Sequence, residues 1–152
     1  MTERVLLVVS SGGHLAQLLA LEHWWAQYPR AWVTFDTPEA RAALSDESDV
    51  TWAYHPTTRN VINLARNSVL ARKTLRRVRP TIVVSTGAAV AFPFFVGARR
   101  RRIRTVYVEV YDRIDTPTLT GRLCRPVTDM MLVQWDEQRV LYDDAVAVGR
   151  LL

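Results

Sequence analysis

Short apolar runs alternate with amphipathic segments along the chain, and this alternation restricts its fold more than any other feature. Six runs have the length and composition of buried strands: residues 4–9, 31–35, 50–54, 81–85, 105–109 and 130–134. Helical periodicity lies between them, at residues 14–27, 38–44, 61–78, 88–98 and 135–142, and residues 145–152 suggest a final strand. The alternation predicts an α/β fold with a Rossmann-like, doubly wound parallel sheet.

The chain length of 152 residues is enough for one ordinary core, so we expect residues 1–152 to form a single domain. Its single cysteine, Cys124, excludes a disulfide framework and a cysteine-based metal site, and we expect no metal ion. The first apolar run has only strand length, so neither a signal peptide nor a membrane span is predicted. These features predict a cytoplasmic protein.

Positive charge is concentrated in the middle of the chain: residues 50–108 contain twelve Arg and Lys but no Asp or Glu. Such a face suits an anionic lipid surface or a nucleic acid, and the absence of a recognised nucleic-acid motif favours lipid. We expect the membrane contact within AFPFFVGARRRRIR, at Phe92, Phe94, Phe95, Arg99, Arg100, Arg101, Arg102 and Arg104. The alternative is that the phenylalanines pack in the core and the arginines are solvated.

Glycines and polar residues follow several of the predicted strands. Parallel strands end at one edge of a sheet, so these residues should line one cleft. The cleft residues are Ser11, Gly12, Gly13, His14, Ser85, Thr86, Gly87, Glu109, Asp112 and Arg113. Neither G-x-G-x-x-G nor a Gly-Lys-Ser/Thr phosphate loop is present, which argues against nicotinamide and ATP sites.

His14 and Glu109 are the two candidates for a general base in this cleft. A helix N-terminus disfavours imidazolium, so His14 is expected to be neutral and able to accept a proton. A carboxylate such as Glu109 at the end of an apolar strand is costly unless it is paired or exposed in a cleft. The alternatives are a structural role for His14 and an ion pair between Glu109 and Arg113.

Four stretches together resemble a known family: SSGGHLAQLLAL, STGAAVAFPFF, YVEVYDRIDTPTLTGRL and DMMLVQWDE. They are similar to the acceptor-side subunit of two-component glycosyltransferases. Members are the membrane-recruiting subunit of the dolichol-diphosphate N-acetylglucosaminyltransferase and its counterparts in bacterial exopolysaccharide synthesis. The resemblance extends over residues 5–149 and implies the N-terminal half of a split GT-B fold. The eukaryotic pattern has a membrane anchor before the first strand, which this sequence lacks, so we expect peripheral attachment at the cytoplasmic face of the membrane.

The resemblance implies transfer of a sugar from a nucleotide-diphosphate sugar to a polyprenyl-diphosphate-linked saccharide, without a cofactor. A separate donor-binding subunit would hold the nucleotide sugar. His14 or Glu109 would be the base, and the other cleft residues would hold the acceptor and its diphosphate. Two other functions remain open: a non-catalytic membrane scaffold that activates a partner transferase, and a stand-alone nucleotide-binding enzyme. The scaffold predicts that both candidate bases are dispensable.

Overall fold

The computed structural model describes residues 2–113 and 115–151, and its centre is a seven-stranded sheet in which all neighbouring strands are parallel. The strands are β1 Val5–Val9, β2 Arg30–Phe35, β3 Val50–Ala53, β4 Ile82–Gly87, β5 Arg104–Val108, β6 Met130–Val133 and β7 Val146–Ala147. Their order across the sheet is β3-β2-β1-β4-β5-β6-β7. The predicted fold class is therefore confirmed, and each of the six main strands lies within two residues of its predicted bounds. Of the expected final segment, Leu152 lies outside the described residues.

Six α-helices and two 3-10 helices connect the described strands. They are α1 Gly13–Leu19, α2 Glu22–Trp25, α3 Pro38–Ala43, α4 Val61–Val78, α5 Ala91–Arg100 and α6 Leu119–Cys124, with 3-10 turns at Arg125–Val127 and Asp136–Leu141. The helix predicted over 14–27 is divided in two, because the Leu18 carbonyl accepts hydrogen bonds from the Leu21 amide and the Trp25 indole. The α5 helix begins later than predicted, because the backbone of Ala88 has a positive φ of 68°.

The two faces of the sheet are buried by different helices. In β1, Leu6 and Val8 pack in the core formed with α4, α5 and α6. Leu7 and its alternate neighbours pack in the second core, under α1, α2 and α3. This alternation of side chains is the normal consequence of the strand period of two.

The second face is only partly covered. Helices α1 and α2 flank β4, and beyond them a groove of about 690 Å³ opens on apolar side chains of β4, β5 and β6. The groove is lined by strand residues, by Trp24 of α2 and by Leu21 between α1 and α2; the strand residues are Ile82, Val84, Val106, Val108, Met130 and Leu132. We call this surface the open sheet face. Within the described residues, no helix is both long and apolar enough to cross a bilayer.

Candidate functional site

The crevice at the carboxyl edge lies between β1 and β4. The chain leaves β1 toward β2 on one side and leaves β4 toward β5 on the other, so the loops after these neighbouring strands diverge. Ligands of open α/β sheets bind at such a switch point. The Gly12–Gly13 turn follows β1, and Gly87 ends β4, so the fold places both glycine sites at this crevice.

His14 lies in the first turn of α1 and joins the two sides of the crevice. Its Nδ1 atom is 3.0 Å from the Thr86 carbonyl oxygen, and the Thr86 hydroxyl donates to the His14 carbonyl oxygen over 2.6 Å. A carbonyl only accepts, so Nδ1 carries the proton in this hydrogen bond. In the neutral ring, Nε2 is then the nitrogen that can accept a proton.

Gly87 allows His14 to approach β4 closely. Its φ of +121° is a backbone conformation that favours glycine. A Cβ atom at this position would lie 2.9 Å from the Tyr107 hydroxyl and 3.1 Å from His14 Nδ1. A side chain at residue 87 would therefore displace the imidazole.

The turn after β1 requires glycine at only one of its two positions. Gly12 has φ 76° and ψ −142°, a combination that only glycine adopts readily. A Cβ atom on Gly13 would meet nothing within 4 Å, so the space in front of α1 is open. Ser11 is half-buried beside this turn. Direct contact between these three residues and an acceptor stays a prediction.

The side chains of Ser85 and Thr86 do not face the crevice, which corrects the expectation that they bind a ligand directly. Both are fully buried. The Ser85 hydroxyl accepts from the Gly87 amide over 3.0 Å, and the Thr86 hydroxyl is occupied by the His14 carbonyl. Their role is to fix the end of β4 and the start of α1.

Glu109 is also fully buried, whereas His14 is half-buried, so the two candidate bases have different environments. Its carboxylate accepts hydrogen bonds from the Val110 amide, from the Thr118 amide and hydroxyl, and from the Tyr142 hydroxyl. Burial and the neighbouring carboxylate raise the pKa of the Tyr142 phenol, which keeps it protonated as a donor. No Glu109–Arg113 ion pair is found among the described residues. Glu109 is positioned to hold the loop after β5, whereas His14 faces the crevice.

Asp112 and Arg113 are exposed in that loop, whose backbone is held by two residues of the loop after β6. Gln138 donates from Nε2 to the carbonyl oxygens of Val110 and Arg113, each over 2.8 Å. The Trp135 indole donates to the Tyr111 carbonyl over 2.7 Å. Gln138 was not predictable as a functional residue, because one buried glutamine leaves no distinctive pattern in a sequence.

A pair of glutamines, Gln134 and Gln17, connects this loop to α1. The buried Gln134 side chain donates to Gln17 Oε1 over 2.5 Å and to the Glu109 carbonyl over 3.0 Å. Its own side-chain oxygen accepts from the Leu151 amide over 3.0 Å. Hydrogen bonds therefore link the loops after β5 and β6 to the helix that carries His14.

The phenylalanines and the arginines of the predicted membrane segment lie in different environments. Phe94 and Phe95 are fully buried and Phe92 is partly buried against the same core, so Phe94 and Phe95 are not membrane contacts. The arginines are at the opposite, amino edge of the sheet, where α5 ends and β5 begins. Two of them are paired there, Arg99 with Asp129 over 2.8 Å and Arg104 with Glu3 over 2.5 Å. Lipid binding by Arg99, Arg100, Arg101, Arg102 and Arg104 stays a prediction, at about 16–20 Å from the crevice given the length of a strand.

Comparison with known proteins places the chain in a family. The model of a family described as "Oligosaccharide biosynthesis protein Alg14 like" matches residues 49–151. Among curated proteins, the mouse "UDP-N-acetylglucosamine transferase subunit ALG14" is 27% identical over 180 residues, covering 98% of this chain and 83% of the mouse protein. The human protein of the same name is 27% identical over 178 residues, covering 97% and 82%.

Solved structures share the fold at low sequence identity. MurG from Acinetobacter baumannii superposes with a TM-score of 0.79 at 16% identity, over 97% of this chain and 45% of MurG. UDP-N-acetylglucosamine 2-epimerase from Rickettsia bellii gives a TM-score of 0.74 at 13% identity, over 99% of this chain and 46% of the epimerase. The chain thus spans slightly less than half the length of these structural relatives.

Proposed function

Because the chain belongs to the Alg14-like family of oligosaccharide biosynthesis proteins, we propose that it is the acceptor-binding, membrane-recruiting subunit of a heteromeric glycosyltransferase. The family match over residues 49–151 is the observation that carries this proposal. The proposed reaction transfers a sugar from a nucleotide-diphosphate sugar to a polyprenyl-diphosphate-linked saccharide. UDP-N-acetylglucosamine is the first donor to test, since the mouse relative is named as a subunit of its transferase.

His14 is the proposed general base. The acceptor hydroxyl would attack the anomeric carbon of the donor while the bond from that carbon to the nucleotide diphosphate breaks. The hydroxyl proton would pass to Nε2 of His14, and the nucleotide diphosphate would leave with the bonding electrons. The hydrogen bond from Nδ1 to the Thr86 carbonyl supports this assignment, because it orients the ring and leaves Nε2 as the acceptor. Arg113, exposed beside the crevice, is proposed to contact the acceptor diphosphate.

The partner subunit is proposed to cover the open sheet face as well as the carboxyl edge. Apolar strand side chains such as Val106 and Leu132 line the groove, and Met130 is half exposed within it. Sheet faces in α/β folds are normally buried against helices. A helix of the donor-binding subunit would supply that cover, and its binding would remove this apolar area from water.

The test is reconstitution with the product of the neighbouring reading frame. We expect no transfer by the purified chain alone, and transfer to a lipid-linked acceptor when a donor-binding partner and a nucleotide sugar are added. Robust transfer by the isolated chain would instead support a stand-alone enzyme.

Two His14 variants distinguish a role of His14 as general base from a structural role in the reconstituted enzyme. His14→Ala removes both nitrogens. His14→Asn keeps an amide N–H where Nδ1 donates to Thr86, but it lacks the basic Nε2. We expect both variants to lose about 10²- to 10⁴-fold in turnover, as on removal of a general base.

The alternative function is a non-catalytic scaffold that recruits and activates the partner. Burial of Glu109 favours it, because this candidate base is fully occupied by contacts within the chain. Near-normal turnover in His14→Asn would support the scaffold and end the catalytic assignment.

A further inference from the structure

The beginning of α4 buries polar side chains and exposes apolar ones. Asn63 and Asn67 are buried, whereas Val61 and Ile62 are 77% and 67% exposed. A helix on a protein surface normally buries its apolar residues and exposes its polar ones. This end of α4 therefore presents apolar side chains outward although hydrophilic residues are available in the same turns.

Hydrogen bonds hold this end of α4 in place. The Asn67 side chain accepts from the Tyr54 amide and donates to the Tyr54 carbonyl, each over 2.9 Å. The Asn63 side chain donates to the Pro56 carbonyl over 2.8 Å. With both asparagines occupied inside, rotation of the helix to bury Val61 and Ile62 would break three hydrogen bonds, so their exposure is built into the fold.

A second apolar pair lies on the same side of the sheet. Leu119 and Leu123 are 71% and 48% exposed and lie four positions apart, which places them on one face of α6. Helices α4 and α6 both pack on the core that contains α5, and each begins near the carboxyl edge of the sheet. Helix α5 packs against both α4 and α6, so the two apolar pairs are patches of one sheet edge. We call these patches, together with the exposed Tyr54, the edge surface: Tyr54, Val61, Ile62, Leu119 and Leu123.

Cations surround the edge surface. Arg59 and Arg66 flank the apolar residues of α4, and Arg113 and Arg122 flank those of α6; all four side chains are exposed. Within residues 2–113 and 115–151, none of the four forms an ion pair with a carboxylate. Asp112 and Asp115 are exposed in the same region, so the exposed charges there are four positive and two negative. Exposed apolar residues bordered by arginine match an anionic bilayer interface.

We infer that the edge surface, and not the arginine cluster at the end of α5, contacts an anionic membrane. The inference rests on the proposed function in one respect, which is that a lipid-linked acceptor must bring its saccharide from the bilayer to His14. The edge surface lies at the edge that carries His14, whereas Arg99–Arg102 lie at the opposite edge. A bilayer at the edge surface would lie beside the crevice, whereas a bilayer at Arg99–Arg102 would lie about 16–20 Å from it, the length of a strand.

The experiment measures co-sedimentation of the full chain with vesicles made of equal parts phosphatidylglycerol and phosphatidylcholine. The test variant is Val61→Ser/Ile62→Ser, with Leu119→Ser/Leu123→Ser as a second. The matched control is Val69→Ser, an exposed valine on the same helix, about 10 Å from Ile62. Replacement of all four residues of Arg99–Arg102 by Ser tests the other edge.

We expect each double variant to weaken vesicle binding by about tenfold or more. The Val69→Ser control should stay within about twofold of the wild type, since a bound helix end enters only about 5–10 Å of the interface. As a second measurement, Ile62→Cys carrying an environment-sensitive fluorophore should shift to shorter wavelength on vesicles, and Arg101→Cys should not. Native Cys124 is buried and does not compete for the label.

Three outcomes would overturn the inference. One is wild-type binding by the double variants together with loss of binding in the Arg99–Arg102 variant. Another is the absence of wild-type binding to any vesicle. The third is that the double variants no longer form the complex with the partner subunit, which would make the edge surface a protein interface. Vesicle binding needs neither partner nor sugar, so a failed transfer assay and a failed binding assay are distinguishable.

Discussion

Alanine substitution of Gly87 should displace His14, and the structure allows the cost to be separated into two parts. The first part is backbone strain at φ +121°, about 1–3 kcal/mol for a residue other than glycine. The second part is overpacking, because the new Cβ would lie 2.9 Å from the Tyr107 hydroxyl and 3.1 Å from His14 Nδ1. Such crowding typically costs about 1–3 kcal/mol. The sum, about 2–6 kcal/mol, corresponds to a fall in Tm of roughly 4–24 °C.

The direction of the displacement follows from burial. Tyr107 is fully buried, whereas His14 is half-buried at the crevice, so the imidazole is the group that can move. Its movement breaks the hydrogen bond to the Thr86 carbonyl. Turnover of the reconstituted enzyme should then fall toward the level of His14→Ala.

Two other glycines supply internal controls for the stability measurement. Gly12→Ala introduces strain at φ 76° but no contact within 4 Å, so it should cost only about 1–3 kcal/mol. Gly13→Ala introduces neither strain nor contact and should be neutral or stabilise by up to about 1 kcal/mol. Urea denaturation of the three variants gives the comparison. If Gly87→Ala proved as stable as Gly13→Ala, the described contact between residue 87 and the imidazole would be refuted.

Three further predictions concern the buried cluster and the open sheet face. Tyr142→Phe removes the phenol that donates to Glu109, and the free energy of unfolding in urea should fall by about 1.5–3 kcal/mol; an unchanged value would contradict the hydrogen bond. Met130→Asp places a charge in the open sheet face at a half-exposed position, so thermal melting should change little while gel filtration shows loss of the partner complex; a retained complex would place the partner elsewhere. Burial raises the pKa of the Cys124 thiol to about 12, so iodoacetamide should label it at pH ~8.5 only after unfolding. Because this pKa is raised in the folded state, the thiol's contribution to stability is present below the ordinary thiol pKa and is lost as pH rises toward 12; rapid labelling of the native protein would contradict the burial.

The elements most accurately predicted are those whose signals are local. Helix α4 begins and ends at the predicted residues because the Asn60 side chain accepts from the Asn63 amide and Arg79 ends the helix in a left-handed conformation. The strands were recognisable because each is a short apolar run between turns. Such signals depend on residues within a few positions of one another.

The role of Glu109 was not predictable in the same way. Its partners Thr118 and Tyr142 are 9 and 33 residues away in the chain, and only the fold brings them to one carboxylate. The prediction of membrane contact at Phe94 and Phe95 was wrong for another reason. A helix face that packs in a core and one that enters a bilayer have the same composition, so Phe94 and Phe95 carried no information that distinguishes the two.

The placement of the three proposed contacts has a consequence for assembly. The open sheet face is on the side of the sheet covered by α1 and α2, whereas the edge surface is on the side of α4 and α6. The crevice with His14 lies between them, at the switch point of β1 and β4. A partner that covers the open sheet face, and only the part of the carboxyl edge that adjoins it, would therefore not compete with a bilayer at the edge surface, and each could bind first. Vesicle affinity of the chain should then be the same with and without the partner, apart from any lipid contacts made by the partner itself. A partner that displaced the chain from vesicles would show that the two surfaces overlap.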